Sequence, residues 1–369
     1  MSSSTLGLAI VFSAAAIAAA CSGGSAAGGA PCSPGSAGVT DDTTFPKTVD
    51  AFCQVGIESS AIVPKADTVV PYDLNTPLFS DYAVKFRTVW LPPGAAAPYS
   101  TADELEFPVG TVVTKSFGWP ADFRKPNAPV HWVETRVLVH TPKSGWTGAS
   151  YEWNEANTVA TLVPGGDVLS FSFIDTNGGT EKPTYLIPSQ AQCPKCHASN
   201  GVFTTLGPSA AQLNRTYAYA QGSKNEIAEW SRLGILSGAP APDEAPALPV
   251  WNDPTTGTTE QRARAYLHAN CAYCHDGQGE ARNTGLVLLY SETDPAKYGV
   301  CKSPVAAGKA AGDDAFDVVP GHPESSILIR RVTSTEPSVA MPELERSLEH
   351  VEAVTLLTEW VAGLPGSCP

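Results

Sequence analysis

Between residues 46 and 190 the apolar positions fall in short runs punctuated by Gly and Pro, the pattern of a β-rich unit. The clearest run is 130–140, VHWVETRVLVH. There Val133, Thr135, Val137 and Val139 fall on one side, and Trp132, Glu134, Arg136 and Leu138 on the other. Further strands are predicted over 111–117 and 149–153, with turns marked by Pro120, Pro126 and Gly145. The expectation is a β-sandwich-like domain or a strongly bent sheet.

Past residue 190 the period changes to that of helices. Segments 209–215 and 224–235 predict short amphipathic helices, and the prolines of SGAPAPDEAPALP at 237–249 forbid a regular element. Thr258 and Gln261 have capping-box spacing ahead of a helix over 258–269 with Ala263, Tyr266, Leu267 and Asn270 on one face. Val351, Val354, Leu357, Val361 and Leu364 recur at helical spacing until Pro365 and Gly366 stop the run. The last unit is expected to be all-α, with these two helices packed together and Tyr266 near Trp360 or Val361. At 369 residues the chain exceeds what one core usually supports. It reads as an α+β multidomain protein: a β-rich domain over 46–236, a Pro-rich linker over 237–255 and a helical domain over 256–369.

The N-terminus adds an address. Residues 5–20, TLGLAIVFSAAAIAAA, are an apolar run too short to span a membrane, ending in small residues before Cys21. Residues 1–20 are expected to be a secretory signal, although no Lys or Arg precedes the apolar run. Cys21 is expected to be the lipidated first residue of the mature chain, followed by a flexible tether over 21–45 rich in Gly, Ala and Ser. The expected location is the periplasmic side of a bacterial membrane or the cell envelope. A net charge of −14 argues against nucleic acid and against anionic lipid as a binding surface. A basic redox partner protein or a small neutral electron carrier suits it better.

Nine cysteines in an oxidising compartment need an account. Beside Cys21, four lie in two motifs, Cys193-Pro194-Lys195-Cys196-His197 and Cys271-Ala272-Tyr273-Cys274-His275. Two thiols separated by two residues on a helical turn reach both vinyl groups of one porphyrin, and the adjacent histidine then points at the iron. A thioredoxin-like dithiol needs neither the histidine nor a duplicate, and a zinc site pooling four cysteines is unusual outside the cytosol. The motifs therefore predict two covalent c-type haems, with His197 and His275 as iron ligands. Cys32, Cys53, Cys301 and Cys368 remain. The pairs Cys301 with Cys368 and Cys32 with Cys53 are favoured, since each closes a loop within one unit.

Sixth ligands are scarce. The chain has two methionines, Met1 and Met341, and Met341-Pro342 lies 66 residues after His275 in a loop between helical stretches. A thioether opposite His275 raises the reduction potential and fits an electron carrier. The first iron has no methionine left. His131 and His140 are an odd number of residues apart, so an unbroken strand points them to opposite faces, and His268, His322 and His350 lie in the last unit. That iron takes a histidine, borrows another ligand, or stays open to a small molecule.

With RARAYLHANCAYCH at 262–275, VVPGHPESSILIRRV at 318–332, AMPELERS at 340–347 and LLTEWVAGL at 356–364, the C-terminal part resembles the cytochrome c domain of a family of exported diheme c-type cytochromes. The resemblance implies His275 proximal and Met341 distal. YDLNTPLFSDYAVKFR, the strand with VETRVLV, and YLIPSQAQCPKCH also look like that family, so it covers most of the mature chain. More weakly, FPVGTVVTK followed by a strand and a haem motif is similar in order to the β-fold cytochromes of the P460 type, which bear a lysine-crosslinked haem and act on small nitrogen compounds. Lys115 is not matched to that lysine.

Three functions of different class follow. The first is an electron-transfer protein with the haems as a relay. The second is a diheme oxidoreductase, peroxidase-like or P460-like, in which the Met341 haem feeds an open first haem and Glu134 or His131 serves as acid or base. The third is a binding module displaying Trp119, Trp146 and Trp153, with the cytochrome as cargo.

Overall fold

The structure, a computed structural model, describes residues 32–101 and 104–369. The expected signal segment and Cys21 lie outside the described residues. Within the expected tether the chain is already packed from Cys32 onward: Val39 and Phe45 are buried, and Cys32 is disulfide-bonded to Cys53 with the Cα atoms 5.8 Å apart.

A six-stranded antiparallel sheet runs in sequence order through Val70–Tyr72, Val84–Trp90, Val112–Pro120, Val130–Thr141, Gly145–Trp153 and Ala160–Leu162. The expected strands fall inside this meander. It is flanked by two-stranded pairs rather than by a second large sheet, so β-rich holds and two stacked sheets do not form. In Val130–Thr141 the alternation slips once. Phe117 pairs with Glu134 and Gly118 with Trp132, leaving Val133 as the extra residue of a bulge. On the C-terminal side of the bulge the expected faces hold; before it they exchange. Trp132 therefore packs with Val137 and Val139, while Val133 joins Phe117 and Tyr185 on the opposite face. Gly118 is required here, because a Cβ would stand 2.8 Å from the His131 carbonyl oxygen.

Three apolar clusters fix the sheet. Val137, Val139, Tyr151 and Trp153 meet Val39, Phe45 and Phe52 of the N-terminal segment. Phe117 and Trp119 meet Phe173, Tyr185 and Ile187. Val70, Tyr72 and Val89 meet Ala210, Leu213, Ile227 and Trp230 from helices α2 (Ala210–Leu213) and α3 (Glu226–Arg232), which follow α1 (Cys193–Cys196). Each fully buried apolar side chain of this size contributes about 1.5–3 kcal/mol. Trp119 and Trp153 are buried and Trp146 stacks on His140 at 4.8 Å, so these tryptophans are core and do not form an exposed platform.

Beyond Trp251 the chain forms α4 (Thr259–Cys271), α5 (Ile327–Thr333) and α6 (Val351–Gly363) and no named strand. Thr258 caps α4 as its sequence predicts: its hydroxyl accepts from Gln261 N at 3.2 Å, and Gln261 Oε1 accepts from Thr258 N at 2.9 Å. Helices α4 and α6 pack, with Tyr266, Leu267, Leu357, Trp360 and Val361 in one cluster. The rest is not helical. The three helices hold 13, 7 and 13 residues, and the long stretch between α4 and α5 is loop and 3-10 turn, so the expected all-α domain does not form as such. Gly, Pro and Asp recur through that stretch and no 3.6-residue apolar period survives there. Cys301 is bonded to Cys368, Cα atoms 5.2 Å apart, and ties this loop to the C-terminus.

The two parts are joined by buried polar contacts. Asp81, 1% exposed, accepts from Ser347 N at 2.8 Å, Ser347 Oγ at 2.9 Å and Leu348 N at 2.8 Å. Phe79 N donates to Asn270 Oδ1 at 2.7 Å, and the Phe79 ring stacks on His350 at 4.1 Å. The Pro-rich segment is fastened too, since Thr76 Oγ1 donates to Pro249 O at 2.7 Å and Leu248 N to Ala211 O at 2.9 Å. Arg136 of the sheet pairs with Glu345.

Burial pushes the Glu345 carboxyl up, but the Arg136 and Lys115 charges overcome it and hold the pKa at about 2 against an ordinary 4.5. A depressed folded pKa gives stability that is complete above pH 4.5 and is lost as pH falls toward 2. Glu345→Gln is expected to cost roughly 1–3 kcal/mol near neutral pH. The difference from wild type should shrink to nothing near pH 2. Chemical denaturation of both proteins across that range checks it; a cost that does not depend on pH would show that the ion pair is not the source.

Candidate functional site

Both Cys-x-x-Cys-His motifs sit on short helical turns. Ser189 and Gln192 form a capping box ahead of α1, with Ser189 N donating to Gln192 Oε1 at 2.9 Å, and Cys193–Cys196 makes a single turn. His197 closes it, its N–H donating to Cys193 O at 3.0 Å. The second motif starts on the last residue of α4 and continues as a turn, in which His275 N donates to Cys271 O at 3.0 Å. The chain then folds back on itself: a Cβ on Gly279 would lie 2.6 Å from the Tyr273 carbonyl oxygen, so only glycine fits.

Each motif histidine has one ring nitrogen already engaged. His197 Nδ1 faces the Thr204 carbonyl at 3.0 Å, and Phe203 stacks on the ring at 5.4 Å. A carbonyl only accepts, so Nδ1 carries the hydrogen and Nε2 keeps its lone pair. His275 Nδ1 lies 3.3 Å from Thr284 Oγ1, whose own hydrogen goes to Ala281 O at 2.7 Å. The same tautomer follows. Burial lowers both imidazoles to about 4, which keeps them neutral.

The four motif thiols are unpaired, whereas the other four described cysteines are in disulfides. Burial pushes them all up, Cys196 and Cys271 to about 12 and Cys274 to about 11. A redox dithiol needs a depressed thiol, and neither motif offers one. Among the described residues no cluster of three or more His, Cys, Asp or Glu could hold a metal ion, so the four cysteines do not converge on a zinc site.

Cys193, Cys196 and His197 open on a cavity of about 410 Å³, inside the range of small-molecule and cofactor sites. Its floor is the sheet, through Arg87, Lys115 and Arg136, and its far wall includes Tyr273 of the second motif. The motifs touch: Cys274 Sγ donates to Lys195 O at 3.8 Å, and Asn200 N to Gln278 O at 3.3 Å. Met341 and Cys271 line a second, narrow pocket of about 10 Å³ with Tyr266, Val332 and Leu357. His275 is buried outside that lining. At the first motif both the donor set and the space fit a covalent macrocycle. At the second the donors fit, and the pocket between α4 and the Met341 loop would have to widen.

The remaining candidates are dispersed. His131 is exposed at the bulged end of its strand, paired with Trp119, and His140 Nδ1 donates to Phe107 O at 2.7 Å, away from the cavity. His322 is exposed beside Glu324, while His350 lies in the narrow pocket 3.1 Å from Tyr266 Oη. His268 lines the large cavity, and its Nδ1 accepts from Tyr290 N at 3.3 Å. Glu134 is wholly buried and occupied: Arg136 Nε donates to it at 2.8 Å and Tyr185 Oη at 2.5 Å. The cavity floor, with Lys115 and Arg87, was not a candidate on sequence. Its one signal is that Arg87, Lys115 and Arg136 put long cationic side chains inside strands, which favour β-branched and aromatic residues.

No helix among the described residues is long and apolar enough to cross a membrane. No protein family, curated protein or solved structure matches the chain.

Proposed function

We propose that the chain is an exported diheme c-type cytochrome that passes electrons between two covalent haems and a redox partner protein or small electron carrier. The haems are attached through Cys193, Cys196, Cys271 and Cys274. The observation that carries this reading is the anchoring of both motif histidines at Nδ1, which leaves Nε2 of His197 and His275 as iron donors. Covalent haem supplies a one-electron iron couple. Around it, the protein orients the imidazoles, keeps them neutral, and offers the Met341 thioether from the loop opposite Cys271. The contact of Cys274 with the Lys195 carbonyl makes the two attachment edges neighbours, which suits exchange within the chain. The C-terminal part is then a cytochrome c domain with few helices. Export and lipid anchoring at Cys21 belong to the same reading, and two disulfides are at home in an oxidising compartment.

The alternative is a diheme oxidoreductase with an open first iron. The cavity beside His197 favours it. Against it, His131 is exposed and Glu134 is held by Arg136 and Tyr185, so neither acid–base candidate faces a distal site.

Mass spectrometry and pyridine haemochrome of the purified chain are expected to give two haems per polypeptide; one or none would end the diheme reading.

Met341→Ala is expected to abolish the thioether absorption band and lower the potential of one haem while leaving the other unchanged. Asp81→Ala, which removes the acceptor for Ser347 and Leu348 and is expected to cost about 2–4 kcal/mol locally, should lose the same band on warming well before global unfolding. Absorbance and far-UV circular dichroism followed together check this. Coincident transitions in Asp81→Ala would mean that the clamp does not hold the Met341 loop.

A further inference from the structure

Arg87, Lys115 and Arg136 are direct partners across three adjacent strands, a row of like charges on the face that floors the cavity. Such a row is unfavourable unless compensated. Arg136 is compensated by Glu134 and Glu345. Arg87 shares Asp73 with Arg215. Lys115, in the middle, makes no ion pair or hydrogen bond among the described residues; its ammonium lies over the Phe117 ring at 4.8 Å and feels the Glu345 charge from beyond ion-pair distance. Arg87 is 3% exposed, its Nη1 donates to Asp73 at 2.7 Å, and its buried Nη2 has no partner. A buried guanidinium nitrogen without an acceptor costs about 1–3 kcal/mol or more, so the site is incomplete as the chain alone builds it.

We infer that Arg87 and Lys115 hold a carboxylate of the haem attached at Cys193 and Cys196, the propionate edge of the macrocycle lying along this cationic row. The inference rests on the diheme reading above. Its geometry comes from the sheet. Arg136 is the member of the row on the motif's side, since its strand pairs with Gly145–Trp153, and the segment leading into the motif lies against that strand through Gln190 Nε2, which donates to Gly148 O at 3.5 Å. Arg87 lies two strands further, about 10 Å at the usual strand spacing. A porphyrin carries its carboxylates on the edge opposite the vinyl groups that take the thioethers, so a macrocycle fastened beside Arg136 directs them toward Lys115 and Arg87. An oxygen anion there satisfies Nη2 in the fork geometry that arginine prefers. It also adds a counter-charge at Lys115 to that of Glu345. Burial otherwise lowers the Lys115 ammonium to about 7.

The test uses the full haem-loaded chain with Arg87→Gln, Arg87→Lys and Lys115→Gln. Arg87→Gln is expected to lower the potential of the first haem, because a lost cation destabilises the more negative reduced state. The second potential should stay in place, and a propionate bending band in the resonance Raman spectrum should move. Arg87→Lys should fall between, and Lys115→Gln should repeat the effect if Arg87→Gln does not fold. Two haems in every variant with both potentials and the band unchanged would overturn the assignment. So would a shift of the first-haem spectrum on titration with nitrite that Arg87→Gln removes while the propionate band stays put, since the row would then be a small-anion site. Absence of haem from the wild-type chain is a separate failure, that of the diheme reading itself.

Discussion

Asp81 is a carboxylate taken out of water at the join between the sheet and the C-terminal loop, and that burial raises its pKa. Three donors from Ser347 and Leu348 oppose the shift. The backbone around it is strained. Asp81 and Tyr82 have φ of +47° and +63°, a conformation that costs on the order of 1–3 kcal/mol for an ordinary residue and persists only where the surroundings over-determine it. Here Trp119 Nε1 donates to Asp81 O at 2.7 Å, and the Tyr82 hydroxyl has Glu352 at 3.0 Å and Glu349 O at 3.2 Å as acceptors for its one hydrogen. Six residues before Ser347 stands Met341. The placement of the proposed sulfur ligand therefore depends on a turn in the β-rich part.

The same join sets the electrostatics of the cavity. The chain is acidic as a whole, yet the face under the first motif gathers arginine and lysine, balanced by Glu134 from the sheet and Glu345 from the loop. Within a few ångströms of a redox centre, low dielectric makes such charges count for more than the many exposed carboxylates do. Beside the proposed first haem, cations at the floor would favour the reduced state and carboxylates the oxidised one. Because Glu345 arrives on the loop that also bears Met341, the docking that positions one proposed ligand also trims the field at the other motif.

Local features of the sequence carried what local patterns can carry. The capping box at Thr258, the apolar stripe of α6 and the strand cores of the meander all rest on interactions within a few residues, and the structure has them. The bulge at Val133 escaped because strict alternation has no term for an inserted residue. Gly118, on the partner strand, is the only sequence sign of it. The two motifs stand out in the sequence by cysteine and histidine spacing alone, and the structure sets both on turns that lie side by side. The cavity floor was not, since its members come from strands about 30 and 50 residues apart and meet only through register. Likewise nothing near Asp81 announces a partner 266 residues away.

Those long-range contacts bear on where function resides. The Pro-rich stretch suggests a free joint and an independent C-terminal domain, but its fastening to Thr76 and Ala211 removes the freedom such a joint needs. Asn270 makes the point most directly. It lies on the buried face of α4 among apolar neighbours, one residue before Cys271, and its side chain is satisfied by Phe79 N at 2.7 Å and Tyr266 O at 3.0 Å. Asn270 Oδ1, at the head of the second motif, therefore takes its donor from the β-rich part rather than from its own helix. The unit that can hold both proposed centres in geometry is thus the whole described chain, with the sheet serving as the second wall of each.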